Sequence, residues 1–101
     1  MPTSAELFVS GLTQRLKIIQ SLLPEDDDIR VQTYLYDGRI LIVFQIEYQE
    51  PDIVVFSGVD PATGDEMIVL IPYSQQPQVT ILFVPRKENK FPRRKMGFGQ
   101  K

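Results

Sequence analysis

Residues 29–36 alternate apolar and polar side chains up to an Asp-Gly dipeptide, with an apolar run at 40–44 beyond it, a pattern that an antiparallel β-hairpin absorbs and a helix does not. Ile29, Val31, Thr33 and Leu35 alternate with Arg30, Gln32, Tyr34 and Tyr36, the period of a strand with one buried face. Asp37-Gly38 reads as a two-residue type I′ turn, whose two central positions both need positive φ. Such a turn predicts that Tyr36 faces Arg39, Leu35 faces Ile40, Thr33 faces Ile42, Val31 faces Phe44 and Ile29 faces Ile46. Leu41 and Val43 then fall on the far face, opposite Tyr34 and Gln32. A sheet wetted on one side needs no apolar residues there. The helix, a curled sheet edge or another subunit is expected to cover them.

The segment before the hairpin reads as a helix. Thr3 with Glu6 three residues on fits a capping box, with Ser4 as an alternative N-cap. Phe8, Leu12, Leu16, Ile19 and Leu23 recur at spacings of three or four and make one apolar stripe, widened by Leu7, Ile18 and Leu22. Pro24 stops it. Glu25 to Asp28 reads as a solvated acidic loop rather than a cation site, because adjacent carboxylates cannot all point at one ion. Beyond the hairpin, residues 53–57, 66–71 and 79–84 read as three more strands. They are separated by Gln49-Glu50-Pro51-Asp52, a Pro- and Gly-bearing loop at 59–65, and a polar segment at 72–78. The expected fold class is α+β: an N-terminal amphipathic helix, a strongly bent five-stranded antiparallel sheet over a single domain at 1–85, and a basic tail at 86–101 that is mobile in isolation.

Several function classes lose their usual equipment. The chain has no cysteine and no histidine, which removes thiolate chemistry, disulfides and the commonest general base and metal ligand. Glu47 with Asp52 would need a cleft to separate two carboxylate pKa values, which a domain of 101 residues hardly provides. Asp60, Asp65 and Glu66 do not follow the EF-hand spacing, and Gly58 and Gly64 are too isolated for a phosphate-cradling loop. The reading is therefore not an enzyme, with no cofactor and no metal. The longest apolar run, Ile40 to Phe44, is far below the roughly 20 residues that span a bilayer, and no signal-type leader is evident. A cytoplasmic protein with no membrane partner is expected.

Charge is unevenly placed. Residues 1–85 hold four Lys/Arg against twelve Asp/Glu, whereas residues 86–101 hold seven Lys/Arg against Glu88 alone. In the tail, Arg86, Lys87, Lys90, Arg93, Arg94 and Lys95 are interleaved with Phe91 and Phe98. Such a segment can rest on its own acidic body, dock on an acidic protein, or neutralise phosphates while stacking on bases.

The order of helix and five bent antiparallel strands resembles that of the Sm-like RNA-binding proteins, the bacterial RNA chaperone Hfq among them. Val31 to Arg39 looks like their first motif, an alternating strand ending in a polar-Gly turn, and Ile46 to Val54 like its continuation. Ile71 to Ser74 with Val79 to Pro85 sits where the second motif would be. The sequence departs from the family in lacking the glycine that bends strand two within Ile40–Ile46, and in carrying Tyr73-Ser74 where a basic-polar pair contacts RNA. The resemblance implies a small barrel, a ring oligomer, and nucleic-acid contacts at Tyr48, Gln49, Asp52, Tyr73 and Ser74. Two readings follow. One is a non-enzymatic interaction module or assembly subunit, docking on another protein or its own copies through its sheet and tail. The other is an Sm-like oligomer binding RNA or single strands.

Overall fold

The computed structural model describes residues 2–89. They form helix α1 (Ser4–Leu22) and strands β1 (Asp27–Tyr34), β2 (Ile40–Gln49), β3 (Ile53–Val59), β4 (Glu66–Pro72) and β5 (Val79–Pro85). The strands make one antiparallel sheet in the order β4-β3-β2-β1-β5, and it is not closed: β4 and β5 are its two edges. The expected α+β architecture is present, as an open sheet rather than a barrel.

Both ends of α1 follow the sequence signals. The Thr3 side chain accepts the amide hydrogen of Glu6, and Leu23 turns extended ahead of Pro24. The buried face includes the stripe, with Leu16 buried and Ile19 and Leu23 partly so, but is centred to one side of it. Ala5, Val9, Thr13 and Leu16 are buried, Phe8 and Leu12 partly so, while Leu7, Ile18 and Leu22 are more than half exposed. Small residues at 5, 9 and 13 let the helix lie close on β2 and β3, which turns its contact line away from Leu7, Ile18 and Leu22.

The hairpin is where expected, but its register is not. Val31 pairs with Val43, Thr33 with Leu41 and Tyr34 with Ile40, one residue away from the type I′ pairing, so Val31 does not face Phe44. The Gly38 amide bonds to the Leu35 carbonyl and the Leu35 amide to the Arg39 carbonyl; Gly38 has φ +90° while Asp37 is not in the positive region. That is a type I turn followed by a glycine bulge, the three-residue hairpin connection. A one-residue slip exchanges the faces of a strand. Leu41 and Val43, expected behind the sheet, are core residues instead, packed with Val31, Ile46, Val54, Phe56 and the helix.

A second irregularity restores the pattern. Between Val43 and Gln45 the β2–β3 register shifts, leaving Phe44 as the extra residue of a bulge, and beyond it Ile46 pairs with Phe56 on the core side. Opposite the bulge stands Gly58, where an added Cβ would lie 1.8 Å from the carbonyl oxygen of Ile42. Strand two thus bends through a bulge of its own and a glycine on its neighbour, in place of the internal glycine that the resemblance calls for.

The acidic run also divides. Glu25 and Asp26 are exposed, whereas Asp28 lies within β1 and is buried. The Asn89 side chain donates to Asp28 (3.2 Å) and accepts from Arg30 (3.4 Å), and the Arg86 amide bonds to the Asp26 carbonyl. The chain therefore stays hydrogen-bonded to the domain for four residues past Pro85.

Candidate functional site

The open seam of the sheet is its most distinctive surface. A groove of about 560 Å³ separates β4, from Met67 to Ile71, from Tyr34 to Asp37 and Arg39 of the hairpin and from Gln75 to Gln78 ahead of β5. One wall is thus an edge strand, which offers a row of backbone groups that no strand of this sheet takes up. Val69 pairs with Phe56 and Ile71 with Val54, so Met67, Val69 and Ile71 line the core side. Ile68 and Leu70 point the other way and are 69% and 50% exposed. The opposite edge is alike: β5 runs Val-Thr-Ile-Leu-Phe-Val without a charge, with Leu82 and Phe83 exposed. Neither edge carries a lysine, a bulge or an internal proline, the devices that usually keep edge strands from pairing.

At the far wall, Arg39 ties the hairpin to the β3–β4 loop. Its backbone and side chain both donate to Asp37, and its guanidinium lies 3.7 Å from the buried carboxylate of Asp60. Asp60 also accepts the Ala62 amide hydrogen, which shapes the loop. The Arg39 amide bond to Asp37, followed by the side-chain bond and the charge of Arg39, holds the Asp37 carboxyl below the ordinary aspartate range. Asp60 and Asp65 thus belong to loop structure and Glu66 opens β4, and no group of three or more His, Cys, Asp or Glu could hold a metal ion among the described residues.

The residues that the Sm-like resemblance marks gather at the N-terminus of α1, where three of them serve the fold. Asp52 accepts the Ala5 amide hydrogen at 2.6 Å, a second cap on the helix from 47 residues away. Its carbonyl receives the Tyr73 amide, and the Tyr73 ring meets Phe8 edge-on at 6.0 Å. Tyr48 packs on the core, and its hydroxyl titrates above the ordinary tyrosine range because of desolvation first, then Glu6 and Glu50. Gln49 and Ser74 are exposed. An environment of Glu6, Glu50 and Asp52 repels phosphate.

Of the tail positions, Arg86 and Lys87 are exposed in a short 3₁₀ turn (Arg86–Glu88), while Lys90, Phe91, Arg93, Arg94, Lys95 and Phe98 lie outside the described residues. No helix among the described residues is long and apolar enough to cross a membrane. The sequence left open which strands are the edges, because an edge is a property of strand order, which no local pattern encodes. The runs of uncharged residues in β4 and β5 were its only sign. Compared with family models, with curated proteins and with solved structures, the chain matches none.

Proposed function

We propose that this chain is a non-enzymatic assembly subunit whose sheet edges pair with strands of neighbouring protein chains, its own copies foremost. The observation that carries the reading is the pair of unguarded apolar edges, β4 along the seam groove and β5 opposite. An exposed apolar edge strand pairs with whatever strand it meets, and a chain that keeps two of them, charged only at Glu66 where β4 begins, has a use for the pairing. One edge satisfied by another of unlike sequence is a head-to-tail contact, which builds rings or filaments according to its closure angle. The basic tail adds an electrostatic contact to the acidic body of a neighbour.

The test is the mass of the full chain in solution by light scattering. Ile68→Lys and Leu82→Lys each place a charge on the outward row of one edge. Both should lower the mass while circular dichroism stays unchanged, and removal of residues after Asn89 should weaken association in a salt-dependent way. A wild-type chain that stays monomeric at high concentration, or edge variants that assemble like it, would end this reading. Tight binding of mixed oligonucleotides, falling steeply with salt, would favour the single-strand reading instead.

A further inference from the structure

The outer face of α1 carries a second apolar stripe that the fold leaves bare. Leu7, Ile18 and Leu22 are 60%, 55% and 77% exposed, and Gly11 lies in the same line. At 100° per residue these four positions fall within an arc of about 60°, diametrically opposite the buried Ala5, Val9 and Leu16. Leu7 to Ile18 and Gly11 to Leu22 are each eleven residues apart, three turns, so the stripe runs straight along the axis.

Gly11 has no explanation among the described residues. Its φ is helical, and a Cβ there would meet nothing within 4 Å. Apart from proline, glycine is the worst residue in a helix interior, and alanine would stabilise this helix at no steric cost. Glycine facing outward between large apolar side chains is what close approach of another backbone requires.

The spacing names the other backbone. From Leu7 the steps are four, seven and four, the same read in either direction. Laid antiparallel against itself about the midpoint between Gln14 and Arg15, the helix sets Leu7 beside Leu22 of the second copy and drops Ile18 into the notch at Gly11, twice over. Arg15, the single charge at the centre, falls beside the Gln14 amide of the second copy. A self-complementary surface of this kind is the mark of a two-fold interface, and an unrelated partner would have no need of the palindrome. We infer that α1 is a homodimerisation surface, pairing antiparallel with α1 of a second copy through Leu7, Gly11, Ile18 and Leu22. The stripe is small against the roughly 800 Å² per partner of a standard interface, so the dimer is weak and concentration-dependent. This contact uses a face remote from the sheet edges and does not rest on the edge reading.

The chain has no cysteine, which makes crosslinking clean. Leu7→Cys and Leu22→Cys, mixed in the full chain under mild oxidation, should give a disulfide-linked pair. Either variant alone should give little, because two copies of position 7 stand roughly 22 Å apart in the antiparallel arrangement. Gly11→Ala should weaken dimerisation about fivefold, the low end of what a methyl forced into a packed contact costs, while raising the melting temperature of the dilute protein. No crosslink in the mixture, crosslinking of either variant alone as strong as in the mixture, or Gly11→Ala dimerising like wild type would overturn the inference.

Discussion

Gly58 holds a position that no other residue can take. Its missing Cβ is the space into which the Ile42 carbonyl fits, and that close approach is how β3 follows the bulged strand beside it. Gly58→Ala forces backbone against side chain and is expected to destabilise the fold by about 3 kcal/mol, read from the urea midpoint at constant slope. Asp52 works by attraction. Its carboxylate satisfies the Ala5 amide and sits against the positive end of the helix dipole. Asp52→Ala is expected to cost about 1–2 kcal/mol in the same experiment. If Asp52→Ala left stability unchanged, its carboxylate would not be a cap, and a role in ligand contact would regain ground.

The hairpin shows where reading an element from sequence reaches its end. Its strands, the place of its turn and the glycine with positive φ were all legible, because each leaves a local chemical mark, but the turn type was not. The register was not. A two-residue type I′ turn and a type I turn with a glycine bulge both use Asp-Gly, and they differ by one residue in what they pair. Alternation could not arbitrate, since Ile40 to Phe44 is apolar on both faces and either register buries a continuous set. On the helix the same ambiguity took another form, as the larger side chains drew the eye from the small ones that make contact. The turn has a pH signature. Asp37 titrates below its unfolded value of about 3.9, because its carboxylate accepts from Arg39. A lowered folded value means that its stabilisation is present above that unfolded value and is lost as pH falls through the folded one. Chemical shifts of the hairpin amides should therefore move only in that acidic window, and Asp37→Asn should abolish the transition.

At the scale of the whole molecule, the bare surfaces lie apart: two sheet edges, and one helix face turned away from the sheet. The candidate site was the least legible part of the chain. Of the residues marked by resemblance, Asp52 and Tyr73 hold the first turns of the helix and Tyr48 packs on the core. The edges became visible only once strand order was known, because whether β4 has a neighbour depends on residues far away in sequence. The charge asymmetry was plain from the start. It spreads over an acidic body whose one markedly buried carboxylate in β1, Asp28, is held by Asn89 from the segment that leads into the tail.

The Phe44 bulge gives strand two a change of parity. Before it, odd-numbered residues such as Leu41 and Val43 enter the core; after it, even-numbered ones such as Ile46 do. The strand therefore counts its own length: loss of Phe44 itself would only erase the bulge, whereas loss of Glu47 beyond it would turn the end of the strand inside out, and a deletion in the exposed Pro61–Gly64 loop would only shorten a connection. Changes of length in β2 away from the bulge are thus the ones its two faces cannot absorb, and the spacing from Phe44 to Tyr48 is what keeps the end of the strand on the core.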